Sequence, residues 1–510
     1  MSGPSLLAGA SLLIRADASV AMGTGHVMRC LALAQAWRDA GGRAVFALAQ
    51  STPAIQVRLA AESCEIAAIA SQPGSTGDAK RTVELARSAG SEWIVVDGYQ
   101  FNAEYQRILK TAGFRILFLD DYGHASHYSA DMVLNQNITA SPALYANREP
   151  YTQLFLGPRY CLLRREFARW REWEREVSQF GCRVLVTMGG SDPENLTARV
   201  VHALARMSAS GSDHDELEVT VVVGGSASYP DLESAEGQRR MNVRVLRDVA
   251  DIAEWMAWAD VAVSSSGSTC WELCLLALPA VLIDVAKNQT ELAQELHRRG
   301  CAIHLGGSGD FDGEKLAERL QSLLKSVETR RTMSVHCRKL VDGKGVLRLT
   351  SAMKATLRLR LADEGDSAIF WAWVNDPQVR ENAFSTAPIP WEEHTIWFAG
   401  KMKDPDCLIF VGEDDQGRAV GQFRVDWRSE REGEIDVSVS PEYRGMGYGG
   451  VLIDLAVNRI FAEKGQRLHA FVKPENQPSR CAFEQAGFMN IGEEAVQGHH
   501  AIHYVRERER

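Results

Sequence analysis

Short apolar runs rich in β-branched residues recur through the first 340 residues, each followed by a stretch of helical periodicity. "SLLIRA" (Ser11–Ala16), "AVFALA" (Ala44–Ala49), "WIVVDG" (Trp93–Gly98) and "RILFLDD" (Arg115–Asp121) make one series. "RVLVTMGGSDPEN" (Arg183–Asn195), "LEVTVVVGG" (Leu217–Gly225), "VRVL" (Val243–Leu246), "VAVSSSG" (Val261–Gly267) and "AVLIDV" (Ala280–Val285) make a second. Strands that are apolar throughout are covered on both faces, and strand–helix alternation specifies a parallel sheet. The chain therefore reads as α/β, with two doubly wound, Rossmann-type domains at residues 1–163 and 164–345. A polar, aromatic-rich segment, "RREFARWREWEREV" (Arg164–Val177), is predicted to be a helix joining them. Ligands of such folds bind at the carboxyl ends of the strands, here in the cleft between the two domains.

The texture changes after "VDGKGV" (Val341–Val346). "TLRLRL" (Thr356–Leu361) alternates strictly, as a half-exposed strand does. "CLIFVGED", "VGQFRVDW" and "GEIDVSVS" read as consecutive antiparallel strands, with "DDQG" as a hairpin turn. An α+β domain is expected at 352–510. A length of 510 residues accommodates three such cores.

The net charge of −10 gives no global basic field, so nucleic acid is not an expected partner. No apolar run reaches membrane-spanning length, and the N-terminal run lacks a basic flank, so neither a membrane partner nor a signal peptide is expected. Ten scattered cysteines without a CxxC pair indicate reduced thiols and a cytoplasmic location. Cys270 and Cys274 read as buried thiols rather than a metal pair, and no metal site is expected.

Four turns carry candidate chemistry. In "MGTGHVMRCLALA" (Met22–Ala34), Gly23 and Gly25 leave room for a ligand beside the chain, and His26 stands where a helix begins. That pattern fits a general base or a tight turn with a surface histidine. In "SSSGSTCWE" (Ser264–Glu272), Gly267, Ser268 and Thr269 offer N–H and hydroxyl donors to a diphosphate. Glu272 there suits either ribose hydroxyls or a helix cap. In "MGGSDPEN" (Met188–Asn195), Gly189, Gly190 and Ser191 are expected to face the cleft, while Asp192 caps the next helix ahead of Pro193. In "SVSPEYRGMGYGGVLIDLA" (Ser438–Ala456), Arg444, Gly447 and Gly449 form an R-x-x-G-x-G turn that suits a pyrophosphate. The paired acids of "DDY" (Asp120–Tyr122) read as a solvated loop.

Taken in order, "IRADASVAMGTGHVMRCLALA", "VVDGY", "FLDDY", "VLNQN", "LGPRYCLLRREF", "VTMGGSDPENLT", "SSSGSTCWELCLLALPAVLI" and "KNQTELA" resemble the UDP-sugar hydrolases of pseudaminic acid biosynthesis, over roughly Leu12 to Leu340. That family removes UDP from UDP-2,4-diacetamido-2,4,6-trideoxy-β-L-altropyranose on a GT-B fold of two facing Rossmann-like domains. The resemblance implies that His26 activates water, that Glu272 binds ribose, and that Asp17, Tyr99, Asn288 and Gln289 lie near the sugar. Asp17 then either orients His26 or binds a hydroxyl, and Tyr99 and Asn288 hold acetamido groups.

The glycine turn after Ser438 and "VKPENQPSRCAFEQAGF" resemble the GNAT acyl-CoA N-acetyltransferases, over about Thr356 to Asn490. "WVNDPQVRENAF" (Trp373–Phe384) resembles the substrate-side helices of that superfamily's ribosomal-protein and amino-sugar branch. The resemblance implies acetyl-CoA as co-substrate. Val437 and Val439 would then pair with pantetheine through their backbone. Arg444, Gly445, Gly447, Gly449 and Gly450 would hold the pyrophosphate, and Asn476 and Ser479 would complete the site. Many relatives carry a tyrosine acid where Phe483 stands here, and phenylalanine donates no proton. Glu434 or Asp436 either receives the amine proton or is an ordinary solvent-facing carboxylate, with catalysis then resting on proximity of amine and thioester.

Because acetylation of a 4-amino UDP-sugar precedes UDP removal in that pathway, the fusion implies two consecutive steps acting on a UDP-linked amino sugar. A glycosyltransferase, a protein acetyltransferase and a non-catalytic CoA-binding regulator remain open as alternatives.

Overall fold

The computed structural model describes residues 10–19, 22–189, 192, 194–210, 216–224, 241–247, 249, 251–355, 357–414 and 416–508. Its chain divides into two compact units, residues 1–346 and 347–510.

The first unit contains two parallel sheets. One has the order β3-β2-β1-β4-β5-β6-β7, from β1 (Ser11–Ala16), β2 (Arg43–Leu48), β3 (Glu65–Ala68), β4 (Ser91–Asp97), β5 (Arg115–Leu119), β6 (Met132–Asn135) and β7 (Gln153–Leu156). The other has the order β10-β9-β8-β11-β12-β13, from β8 (Arg183–Thr187), β9 (Leu217–Val223), β10 (Met241–Arg247), β11 (Val261–Ser265), β12 (Ala280–Asp284) and β13 (Ala302–Gly307). The apolar runs form the sheet centres as expected: Leu12, Leu13, Ile14, Val95 and Val96 are fully buried, as are Val184, Leu185, Val186, Val261 and Val263.

In each sheet the strand order reverses between two neighbours, β1 and β4 in one and β8 and β11 in the other. A crevice opens beyond the carboxyl ends of such a pair, because the flanking connections leave to opposite sides. The glycine–histidine turn follows β1, Asp97 ends β4, the Gly189 turn follows β8, and the Gly267 turn follows β11. The three glycine turns and Asp97 therefore sit at the two topological switch points.

The predicted joining helix does not form. Arg165–Trp170 is a 3-10 turn, and the chain beyond it runs without helix to Val177. Tertiary contacts outweigh helix propensity there. Arg175 donates to the carbonyls of Met256 (2.6 Å), Ala259 (2.6 Å) and Leu276 (2.9 Å), while Trp170 and Trp173 meet edge to face and pack on the second sheet's helical layer. Strands β3, β6, β7 and β13 escape sequence reading. The first three have only four residues each, and the last is diluted by His304 and two glycines.

The second unit is a mixed sheet of order β14-β15-β16-β17-β18-β20-β19: β14 (Arg358–Leu361), β15 (Cys407–Glu413), β16 (Ala419–Trp427), β17 (Glu432–Val439), β18 (Arg467–Val472), β19 (Met489–Val496) and β20 (His499–Glu507). β17 and β18 are parallel and pair only at Glu432↔Arg467, Gly433↔Leu468 and Glu434↔His469. Beyond that they diverge, leaving one edge of residues 435–439 without a β18 partner.

The end of β1 is fixed by a buried ionic knot. Arg15 is fully buried, donates to both oxygens of Asp78 (2.9 and 2.8 Å), lies 2.8 Å from Asp17 and rests over the Phe101 ring. Asp78 also accepts from Gly74 N–H (2.9 Å) and the Tyr105 hydroxyl (3.0 Å). Removing one partner of a buried pair leaves a charge uncompensated. Asp78→Ala is thus expected to destabilise the first unit by about 3–5 kcal/mol, read as a lower urea midpoint in far-UV circular dichroism; an unchanged midpoint would contradict this role.

Candidate active sites

The helix Gly25–Asp39 opens on Thr24, whose side chain caps nothing, so its first N–H groups remain free of a capping side chain. Gly23 has φ 81°, a left-handed conformation that turns the chain back onto Ser19 (N–H to carbonyl, 2.8 Å). This turn places His26 at the helix mouth with its ring mostly buried. Its Nδ1 lies 2.7 Å from Asp97 Oδ1. A carboxylate only accepts, so Nδ1 carries a proton, and in the neutral ring the lone pair is on Nε2.

Arg29, one helical turn on, holds this arrangement. Its Nε and Nη2 donate to the two oxygens of Asp97 (2.7 and 2.6 Å), and Nη1 donates to Asp121 (2.7 Å). Burial alone pushes the Asp97 carboxyl upward, but the Arg29 guanidinium and His26 outweigh it and hold Asp97 well below the usual carboxylate range. Tyr99 stands edge-on to His26, ring centres 5.0 Å apart. Its hydroxyl donates to Asp121 (2.8 Å) and receives the Asn288 amide (3.4 Å). Burial and the Asp121 charge both raise the Tyr99 pKa, so the phenol stays protonated as a donor.

The second sheet supplies the opposite wall. A Cβ placed on Gly25 would come 3.9 Å from the Ser268 hydroxyl, so the two glycine turns face each other. Gly267 lies beside Gln289, whose Oε1 accepts from Val285 N–H (3.0 Å). Thr269 begins the helix Thr269–Leu275, and Glu272 lies in its first turn. Arg164 donates to one Glu272 oxygen (2.9 Å); burial raises the Glu272 carboxyl against that pairing. Gly189 has φ 83° and abuts Ser265, and Asp192 accepts from Leu196 and Thr197 N–H (2.8 and 2.7 Å), as a helix cap does. Gly190 and Ser191 lie outside the described residues.

Two expectations need correction. Asp17 does not orient His26. Its carboxylate accepts from Ala49 and Gln50 N–H (2.7 and 2.9 Å) and from Gln100 (3.2 Å) and pairs with Arg15, which makes it a structural residue of the β1 end. Asp97 takes the role, because the carboxyl end of β4 adjoins the histidine turn across the switch point. Nor is "DDY" a solvated loop. Asp120 is buried, accepting from Asp121, Tyr122 and Gly123 N–H (2.6, 3.0 and 3.1 Å), and Asp121 belongs to the His26 network. Sequence reading passed over Asp97, Arg29 and Asp121 as chemistry, although "VVDGY" and "FLDDY" both end strands on an acid. Cys270 and Cys274 are buried thiols.

In the second unit, Gly445 and Gly447 have φ 75° and 85°, and a Cβ at either would meet open space. Their turn precedes the helix Tyr448–Glu463, with Gly449 and Gly450 in its first turn against Ala482 and Gln485. Arg444 donates to the Val439 carbonyl (3.0 Å), Asp376 (2.8 Å) and Gln378 (3.0 Å). Val437 and Val439 lie on the stretch of β17 that has parted from β18. Asn476 accepts from Ser479 N–H (3.2 Å) and so caps the helix Gln477–Gln485.

Comparison with known proteins adds an independent line. Residues 183–343 match the glycosyltransferase family 28 C-terminal domain, and residues 356–489 match the acetyltransferase (GNAT) domain. The chain is a fusion of a sugar-processing part and a GNAT domain. It is 22% identical over 489 residues to an uncharacterized protein of Methanocaldococcus jannaschii, covering 94% of this chain and 96% of that one. It is 24% identical over 299 residues to the UDP-2,4-diacetamido-2,4,6-trideoxy-beta-L-altropyranose hydrolase of Campylobacter jejuni, covering 57% of this chain and 98% of that protein. The spermidine N-acetyltransferase of Vibrio cholerae, solved with CoA and spermine, aligns with 30% of this chain and 95% of its own at 21% identity and a TM-score of 0.28.

Within the GNAT domain, Phe483 is buried, stacked on Tyr504 with ring centres 6.0 Å apart, and supplies no acid. Glu434 is engaged by Arg428, while Asp436 receives Gln422 (3.1 Å) and is largely exposed.

The Asp97 pairing has a pH signature. Its folded-state pKa lies below the unfolded value near 4. The stabilisation is therefore complete above about pH 5 and is lost as pH falls further. The difference in urea midpoint between wild type and Asp97→Asn is expected to shrink from pH 6 to pH 3; a constant difference would contradict the pairing.

Proposed function

We propose that the chain is a bifunctional enzyme of pseudaminic acid biosynthesis. The first unit hydrolyses UDP-2,4-diacetamido-2,4,6-trideoxy-β-L-altropyranose to the free sugar and UDP. The GNAT domain uses acetyl-CoA to acetylate the 4-amino UDP-sugar that precedes it. The observation that carries the hydrolase reading is the buried Asp97–His26 pair at the start of a helix whose Gly25 faces the Ser268 turn. Similarity to the Campylobacter hydrolase over nearly its whole length supports the substrate. Ten free cysteines, eight of them buried, are consistent with a reducing cytoplasmic setting.

UDP is a good leaving group, so the demanding parts are aiming water at C1 and stabilising diphosphate charge. His26 Nε2 accepts the proton of the attacking water, and Asp97 stabilises the imidazolium through Nδ1–H. Arg29 keeps Asp97 charged and immobile. Tyr99 and Asn288, already hydrogen-bonded to each other, hold the acetamido groups, with the second N–H of the Asn288 amide as the donor. Gly189 lines the cleft, Ser268 and Thr269 N–H groups face the diphosphate beside Gly267, and Glu272 accepts from the ribose hydroxyls with Arg164 fixing its position. Gln289 holds the loop that carries Asn288. Attack opposite the departing UDP inverts the anomeric centre, and retention in proton NMR of the first-formed product would exclude this geometry.

The GNAT residues fit acetyl-CoA. The missing side chains of Gly445 and Gly447 leave space at a helix start, and parted strands expose the edge of Val437 and Val439. Acetyl-CoA supplies an activated acetyl thioester. Arg444 and the N–H groups of the turn through Gly450 bind its pyrophosphate, with Asn476 and Ser479 shaping the far rim.

Incubation with the 4-amino UDP-sugar, with and without acetyl-CoA, is expected to give acetylated nucleotide and then free sugar only when acetyl-CoA is present. His26→Gln is expected to slow UDP release by ~10²–10⁴-fold with UDP affinity within a few fold. Arg444→Ala is expected to raise the KM for acetyl-CoA by ~10-fold or more. Unchanged UDP release in the first variant would end the hydrolase reading, and unchanged KM in the second would end the pyrophosphate assignment.

A further inference from the structure

Phe483 of the GNAT domain supplies no acid, and Glu434 is tied to Arg428. A second set of groups crosses the sheet at the point where β17 and β18 part. His469 is the last β18 residue paired with β17, opposite Glu434. Its Nδ1 lies 2.9 Å from His503 Nε2 on β20, and His503 Nδ1 lies 2.6 Å from Glu494 Oε1 on β19. Phe471 stacks on His503, ring centres 4.5 Å apart, and covers the junction.

With both imidazoles neutral, the protons in this chain follow by elimination. Glu494 only accepts, so His503 carries its proton on Nδ1 and offers the Nε2 lone pair. His469 must therefore donate from Nδ1, which leaves the lone pair on its own Nε2. That Nε2 is buried and has no hydrogen-bond partner among the described residues. A buried acceptor left unsatisfied calls for an explanation.

The His469 chain lies on the sheet face opposite the helices Tyr448–Glu463 and Gln477–Gln485. Directly paired residues point to the same side of a sheet. Glu434, His469, Phe471 and His503 thus share a side with Asp436 and Arg424, and Arg424 lies over Trp397 of the helix Trp391–Lys403. The opposite side carries Tyr504 and Arg506, which bond to Glu484 and Asp454 of the helices that flank the glycine turn.

We propose that His469 is the general base of acetyl transfer, and that His503 and Glu494 are positioning residues that carry its proton to solvent. This rests on the acetyltransferase reading above. The acceptor ammonium loses one proton to His469 Nε2, across at most one water. The His469 Nδ1 proton moves to His503 Nε2, and the His503 Nδ1 proton moves to Glu494, whose side chain is 55% exposed. The freed amine attacks the thioester carbonyl, forming the N–C bond. As the C–S bond breaks, the remaining ammonium-type proton on nitrogen passes to the thiolate. One proton enters the chain and one leaves it, and no other reactant is required.

The groups facing His469 are Glu432 and Glu434 of β17, Arg428 before it, Arg467 of its own strand, His503 and Glu494. Burial, His503, Arg467 and Arg428 lower its pKa, opposed by Glu432, whose carboxylate lies 3.9 Å from Nε2. The imidazole is therefore neutral at pH 7, as a base must be.

The test is acetylation of the 4-amino UDP-sugar by full-length wild type, His469→Gln and Glu494→Gln between pH 6 and 9.5. At pH 7, kcat is expected to fall about 100-fold in His469→Gln and about tenfold in Glu494→Gln, with the KM for acetyl-CoA within twofold and UDP release by the first unit intact. Both variants are expected to approach wild type by pH 9.5, where the amine loses its proton unaided. A merely structural role would not produce that recovery. A wild-type pH profile in His469→Gln, or a deficit that high pH leaves unchanged, would overturn the relay. Absence of acetylated product from wild type at every pH would instead overturn the acetyltransferase reading. In that event ¹⁵N NMR of histidine-labelled full-length protein still decides the relay: Nε2 of His469 is expected unprotonated at pH 7.5, and a protonated Nε2 would refute it.

Discussion

The Arg29 guanidinium lies between two carboxylates, Asp97 and Asp121, that belong to consecutive strand ends of the first sheet. Each carboxylate has a further duty. Asp97 fixes the His26 tautomer, and Asp121 receives the Tyr99 hydroxyl, which in turn receives Asn288 from the second sheet. Charges buried to this degree persist only when paired and hydrogen-bonded. The cation thereby makes one rigid constellation of groups drawn from three strand ends and a loop of the neighbouring sheet. The chemistry proposed for the first unit depends on this rigidity, because a base displaced by an ångström loses most of its advantage.

The same economy governs the GNAT sheet. A parallel pair that separates after three residues exposes backbone on one strand and places a histidine at the vertex of the other. The exposed edge suits an extended ligand such as pantetheine, while the histidine is joined to two further side chains by the sheet's cross-strand register. Both candidate sites thus arise where a sheet departs from regular pairing, at a reversal of strand order in one unit and at a divergence in the other.

Much of this was legible in the residues. Long β-branched runs fix strands because they bury both faces, and β1, β2, β4, β5, β8, β9, β11 and β12 follow them closely. Glycine turns at strand ends marked three loops of the cleft and one of the second unit. The four-residue strands were not legible, since a run that short carries no period. The segment after Arg164 failed for a different reason: its helical spacing is real, but Arg175 and two tryptophans find better partners in the tertiary structure. Asp17 and Asp97 illustrate the limit for site residues. Both are acids ending parallel strands, and only the strand order shows that Asp97 adjoins the histidine while Asp17 closes a knot around Arg15.

The central claim, that His26 directs water to the sugar carbon, is tested most directly by isotope placement. Hydrolysis of the UDP-sugar in H₂¹⁸O, followed by mass spectrometry of both products, is predicted to put the label in the C1 hydroxyl of the released sugar and none in UDP. Label in the β-phosphate of UDP would mean attack at phosphorus and would contradict the account.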